Sequence, residues 1–76
     1  MKLKINTANS TTVSLKDGTE VLFSYETPVA AFLPGQGYVQ TEVGYSSTTT
    51  RHIRAFTGGK CEKRPQEFFD TLLSAL

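Results

Sequence analysis

Tryptophan is absent from this chain, and cysteine, histidine and methionine each occur once. A single cysteine, Cys61, excludes an intrachain disulfide. One Cys and one His cannot assemble a structural zinc site of the Cys/His type, so neither metal nor cofactor is expected. No apolar run approaches the roughly 18 residues of a membrane span. The opening Met1-Lys2-Leu3-Lys4-Ile5-Asn6-Thr7 has two lysines but no apolar core, so a secretory signal is not expected. These absences point to a cytoplasmic protein without a membrane partner. No GxxxxGK loop is present; Pro34-Gly35-Gln36-Gly37 lacks the lysine and the following helix.

Charge of one sign is missing from two regions. Residues 17–42 hold Asp17, Glu20, Glu26 and Glu42 and no lysine or arginine. Residues 51–64 hold Arg51, Arg54, Lys60, Lys63 and Arg64 against Glu62 alone. The net charge of +1 hides this polarity. The basic segment is a candidate partner-binding surface, with a solvated helix and loop as the plainer reading.

What is present fits one domain over residues 1–76. A chain of this size buries roughly 60% of its unfolded surface, so its stability is marginal. Self-association is one way to add core, and a homodimer stays open. The pattern predicts an α+β fold: a β-meander over about residues 2–43, then helices over about 47–57 and 65–75. Val13–Lys16, Asp17-Gly18 and Thr19–Tyr25 read as a hairpin with a type I′ turn. Val21, Phe23 and Tyr25 should share one face, with Leu22 and Ser24 on the other. Thr27-Pro28 should interrupt, because proline suits a strand start or an edge. Val29–Leu33 and Tyr38–Val43 continue the meander, and Lys2–Asn6 adds a strand at the edge. Three to five antiparallel strands are expected, because the loops are too short for crossovers. The two helices are expected to pack on one face of this small sheet.

In Tyr45-Ser46-Ser47-Thr48-Thr49-Thr50-Arg51-His52-Ile53-Arg54 the period changes to helical. Thr49, Ile53 and Phe56 recur at i, i+4 and i+7. Ser46, Ser47 and Thr48 are all able to cap the helix start. Gly58-Gly59 stops it. Pro65 opens the last helix, whose apolar stripe is Phe68, Phe69, Leu72, Leu73 and Leu76. Thr48 and His52, one turn apart, together with Tyr25 and Tyr45, form a candidate polar site. No carboxylate lies near that pair in sequence to complete a nucleophile–base–orienter set, so no catalytic residue is assigned and a non-enzymatic protein is expected. Cys61 reads as an incidental thiol. Hydroxyls at a helix start, the basic segment and three tyrosines also suit nucleic acid, but the pI near 7.9 is low for a dedicated binder.

Ser24-Tyr25-Glu26-Thr27-Pro28-Val29-Ala30, Thr41, Tyr45–Ile53 and Pro65-Gln66-Glu67 together resemble a pattern SYxTPVA…T…YSxTTxxHI…PQE. It is similar to that of short uncharacterised proteins of bacteriophages and mobile elements. The resemblance spans roughly residues 20–70 and implies a setting, a bacterial host cytoplasm, but no reaction. The resulting expectation is an accessory protein that binds and modulates a host macromolecule, plausibly a host defence or regulatory protein. The runner-up is a nucleic-acid-binding accessory protein using residues 51–64.

Overall fold

The computed structural model describes residues 2–7, 9–59 and 61–74. The elements are β1 (Lys2–Thr7), β2 (Ser10–Ser14), β3 (Glu20–Ser24), β4 (Thr27–Leu33), β5 (Gly37–Thr41), α1 (Ser47–Thr57), β6 (Glu62–Arg64) and α2 (Gln66–Ser74). They form an α+β fold with one six-stranded sheet in the order β1-β2-β3-β4-β5-β6. The first five strands are an antiparallel meander. The sixth corrects the all-antiparallel expectation: β6 runs parallel to β5, with Val39 opposite Glu62 and Thr41 opposite Arg64. A parallel neighbour needs a crossover, and α1 supplies it. Glu62-Lys63-Arg64 has neither alternation nor β-branched residues, so nothing in it reads as a strand.

The hairpin loop also differs from the two-residue form. Leu15 donates its N–H to the Thr19 carbonyl at 2.8 Å, and Gly18 donates to the Leu15 carbonyl at 3.2 Å. Only Gly18 is left-handed, with φ 94°; Asp17 is not. Three residues, Lys16 to Gly18, therefore span the strand ends, and one positive φ suffices. The Asp17 carboxylate accepts the Thr19 N–H at 2.9 Å, and the hydrogen bonds from Thr19 hold its pKa below the usual value.

Pro28 lies inside β4, a central strand, rather than interrupting it. A bulge makes this tolerable. Leu22 pairs with Ala30 and Phe23 pairs with Pro28, which leaves Val29 as the extra residue. Tyr25 also leaves the strand period. It sits in the β3–β4 turn with φ 58°, a backbone region costly for a bulky side chain.

The helices lie on opposite faces, not on one. Ala30 packs with Leu22, Val29 and Ile53 of α1, with Phe56 against them. Ala31, the next residue, packs with Leu33, Val39 and Phe69 of α2, flanked by Phe68 and Leu72. Neighbouring strand residues point to opposite sides, so the two clusters are separated by the sheet. Val29, Ala30 and Ala31 are all at 0% exposure. A continuous apolar run is what a strand covered on both faces carries. Of the expected stripe, Phe69 is buried, Phe68, Leu72 and Leu73 are half-buried, and Leu76 lies outside the described residues. On the edge strand, Leu3 and Ile5 remain 66% and 69% exposed.

Candidate functional site

α1 starts at Ser46, whose side chain accepts the Thr49 N–H at 3.3 Å. Of the three hydroxyl residues able to cap, Ser46 does so. The helix ends at Gly58, left-handed at φ 83°, whose N–H donates to the Arg54 carbonyl. These two stops fix which side chains face the sheet. Thr49 and Ile53 are buried, and Phe56 rests edge-on to Tyr38 with ring centres 5.3 Å apart.

One buried polar contact joins the helix to the sheet. Ser24 Oγ lies 2.8 Å from His52 Nδ1 and 2.9 Å from Thr49 Oγ1. Ser24 is only 2% exposed, so its hydroxyl serves as a tie rather than as an accessible nucleophile. The Tyr25 ring stands 6.2 Å from that of His52, tilted by 50°. Thr48 is half-buried one turn before His52. Of the four candidate polar-site residues, Tyr25 and His52 thus meet, and Thr48 lies on the same helix as His52.

Tyr45 belongs elsewhere. Its hydroxyl donates to Gln66 Oε1 at 3.0 Å, as does Thr41 Oγ1 at 2.9 Å. Gln66 Nε2 donates to the Pro28 carbonyl at 2.7 Å. This second cluster ties the start of α2 to β4 and β5. Ser24, Thr49 and Gln66 were not singled out from sequence as site residues. Ser24 and Thr49 each carried a signal, a polar residue sharing a face with Leu22 and with Ile53 and Phe56 respectively.

On the sheet face that holds α1, two grooves flank the helix. The first, of about 430 Å³, lies toward β1 and β2, with His52, Ala55 and Phe56 as one wall. Its floor carries Lys4, Asn6, Ser10, Thr12, Ser14 and Glu20. Asn6 Nδ2 donates to Thr12 Oγ1 at 2.9 Å and to Ser10 Oγ at 3.3 Å. The second groove lies toward β6, lined by Gln40, Thr50, Arg54, Cys61 and Lys63 among others.

The basic segment divides between the two faces. Arg51 and Arg54 are exposed on α1. Lys63 is opposite Gln40 and lines the second groove beside Arg54. Arg64, one residue on, turns to the other face, where it is ion-paired with Glu62 and stands 5.8 Å from the Phe68 ring centre. Lys60 lies outside the described residues. Arg51, Arg54 and Lys63 make no ion pair among the described residues. Cys61 is half-buried, and burial pushes its thiol pKa up. Among the described residues, no group of three or more His, Cys, Asp or Glu side chains could hold a metal ion. No helix among them is long and apolar enough to cross a membrane.

Neither a curated protein nor a solved structure matches the chain. Residues 1–71 do match the model of a family of unknown function (DUF8033), and the chain belongs to that family.

Proposed function

We propose that this chain is a small non-enzymatic binding protein that acts by contact with a host macromolecule, a host protein first. The observation that carries this reading is the position of Arg51, Arg54 and Lys63. All three are exposed on the side of the sheet that holds α1, without an ion-pair partner among the described residues. Cations left unpaired on one surface favour association with an anionic surface. The burial of the Ser24 hydroxyl and the raised Cys61 thiol pKa fit a protein without a nucleophile. The resemblance to bacteriophage and mobile-element proteins supplies the setting, the cytoplasm of a bacterial host, where a defence or regulatory protein is the target. Self-association is part of the same reading, seated at the exposed Leu3 and Ile5 of the edge strand.

The test is affinity capture of the tagged chain from bacterial extract, with and without nuclease, beside an Arg51→Glu/Arg54→Glu variant. One stoichiometric host protein, retained after nuclease and lost from the variant, is the expected result. The second reading, nucleic-acid binding, draws on Arg54 and Lys63 flanking one groove. Backbone phosphates could follow such a pair, with strong salt dependence. Nuclease-sensitive capture would replace the first reading with this one, and capture equal in both forms would remove the α1 surface from either.

A further inference from the structure

A run of hydroxyls leads to His52 Nδ1. Ser46 Oγ donates to Thr49 Oγ1 at 3.4 Å, and Thr49 Oγ1 and Ser24 Oγ are 2.9 Å apart. Each hydroxyl has one proton to give. Either oxygen can donate in the Thr49–Ser24 contact, and the Ser24 hydroxyl can donate to His52 Nδ1 or accept from it, according to the ring tautomer. A neutral imidazole that accepts at Nδ1 carries its hydrogen on Nε2. Nε2 has no partner among the described residues, and His52 lines the first groove. In that tautomer the groove wall offers a donor.

The rest of that groove has a definite chemistry. Strand alternation brings Lys4 and Asn6 of β1 and Ser10, Thr12 and Ser14 of β2 to the side facing α1. Hydroxyl and amide groups dominate. One cation, Lys4, is matched by one anion, Glu20, so the groove carries no excess charge for a phosphate or a polyanion. The far end is aromatic: Tyr38 is 41% exposed and is held between the Phe32 and Phe56 rings, with centres 5.0 and 5.3 Å away. His52 and Phe56 are one helical turn apart, about 6 Å along the axis. That distance suits a single six-membered ring with its substituents.

We infer that the groove between α1 and β1–β2 is a binding site for a neutral polyhydroxylated ring, that is, a saccharide. A pyranose has a polar rim and an apolar C–H face. The rim meets the His52 Nε2–H donor, the Asn6 amide and the Glu20 carboxylate, and the apolar face lies against Tyr38. A volume of about 430 Å³ is within the range of small-ligand sites, roughly 300–1,000 Å³. This site is separate from the Arg51–Arg54–Lys63 surface and does not depend on the function proposed for it.

The experiment is a titration of the isotopically labelled full chain with maltotriose and with tri-N-acetylchitotriose, followed by amide NMR. Adenosine monophosphate and a Gly-Ser peptide are run in parallel. Expected are shifts with at least one saccharide, concentrated at Asn6, Thr12, Glu20, Tyr38 and His52. Tyr38→Leu keeps apolar bulk but removes the ring, and Glu20→Gln keeps shape but removes the charge. Each should weaken binding about tenfold, equivalent to about 1.4 kcal/mol. Ring-nitrogen spectra of His52 should show the hydrogen on Nε2. No response to either saccharide, or responses unchanged in both variants, would overturn the site. Tighter binding of the nucleotide or the peptide in the same groove would overturn the ligand class, and a hydrogen on Nδ1 would overturn the donor.

Discussion

Ala30 and Ala31 are consecutive in β4, yet they belong to different cores: Ala30 lies with Ile53 of α1 and Ala31 with Phe69 of α2. Both are fully buried, and both are small enough to let a helix approach the strand. Enlarging either should push one helix away and leave the other in place. Ala30→Leu and Ala31→Leu are each expected to cost about 1–3 kcal/mol by overpacking. Urea titration gives the magnitude, and amide spectra show which helix moved. Disturbance of the same helix by both substitutions would contradict the two-face arrangement.

Phe69 should be among the most sensitive positions. Truncation of a buried Phe to Ala costs about 3–5 kcal/mol. Native stabilities are only about 5–15 kcal/mol, and a domain this small sits near the low end. Phe69→Ala should therefore melt far below the wild type, whereas Thr71→Ala, exposed on the same helix, should not. Calorimetry of the two variants makes the comparison.

Only one of the three hydroxyl residues at the start of α1 should matter for stability. Ser46 is the N-cap, so Ser46→Ala should lose about 1 kcal/mol. Ser47→Ala is a surface change and should stay within about 0.5 kcal/mol. Thermal midpoints of both mutants test this, and equal losses would put the cap elsewhere.

Acid should weaken the β2–β3 hairpin through Asp17. Its folded pKa is depressed by the hydrogen bonds from Thr19. The contribution is present above the unfolded carboxylate pKa, near 3.9, and is lost as pH falls through the lower folded value. The wild type should lose slightly more stability than Asp17→Asn between neutral pH and that acid limit. Denaturation series at several pH values would show it, and parallel curves would exclude the coupling.

The Cys61 thiol should alkylate more slowly than free cysteine near neutral pH, because burial raises its pKa and lowers the thiolate fraction. Iodoacetamide kinetics against pH would give the comparison. A rate equal to or above that of the free amino acid would mean an activated thiol.

Local chemistry was legible where a few adjacent residues decide the outcome. Ser46 and Gly58 bracket α1 as capping preferences require, and the first five strands follow from alternation and turn residues. Long-range choices were not legible. Ser24 meets Thr49 and His52 across 25 and 28 residues of chain, and no spacing announces such a contact. The parallel partner of β5 hides in three charged residues. The opposite-face packing did leave a trace, since Val29-Ala30-Ala31 is apolar on both sides of the strand. A short apolar run is equally compatible with a one-faced sheet, and Pro28 beside it suggested an interruption. Tyr25 occupies a left-handed position normally given to glycine, so residue type pointed away from the observed turn.

The parallel β5–β6 pair should set an order of assembly. β1 to β5 join neighbours through short turns, and such local pairings close with little loss of chain entropy. β6 reaches β5 only after α1 has been laid across the sheet, and Glu42 N–H then donates to the Arg64 carbonyl at 2.9 Å. α2 follows β6 directly. β6 and α2 should accordingly be the last part to form and the first to open. In native-state hydrogen exchange, amides of β6 and α2 should exchange through partial openings while those of β3 and β4 await global unfolding. A ribosome-bound chain would carry a nearly complete meander, with an open β5 edge, until β6 emerged.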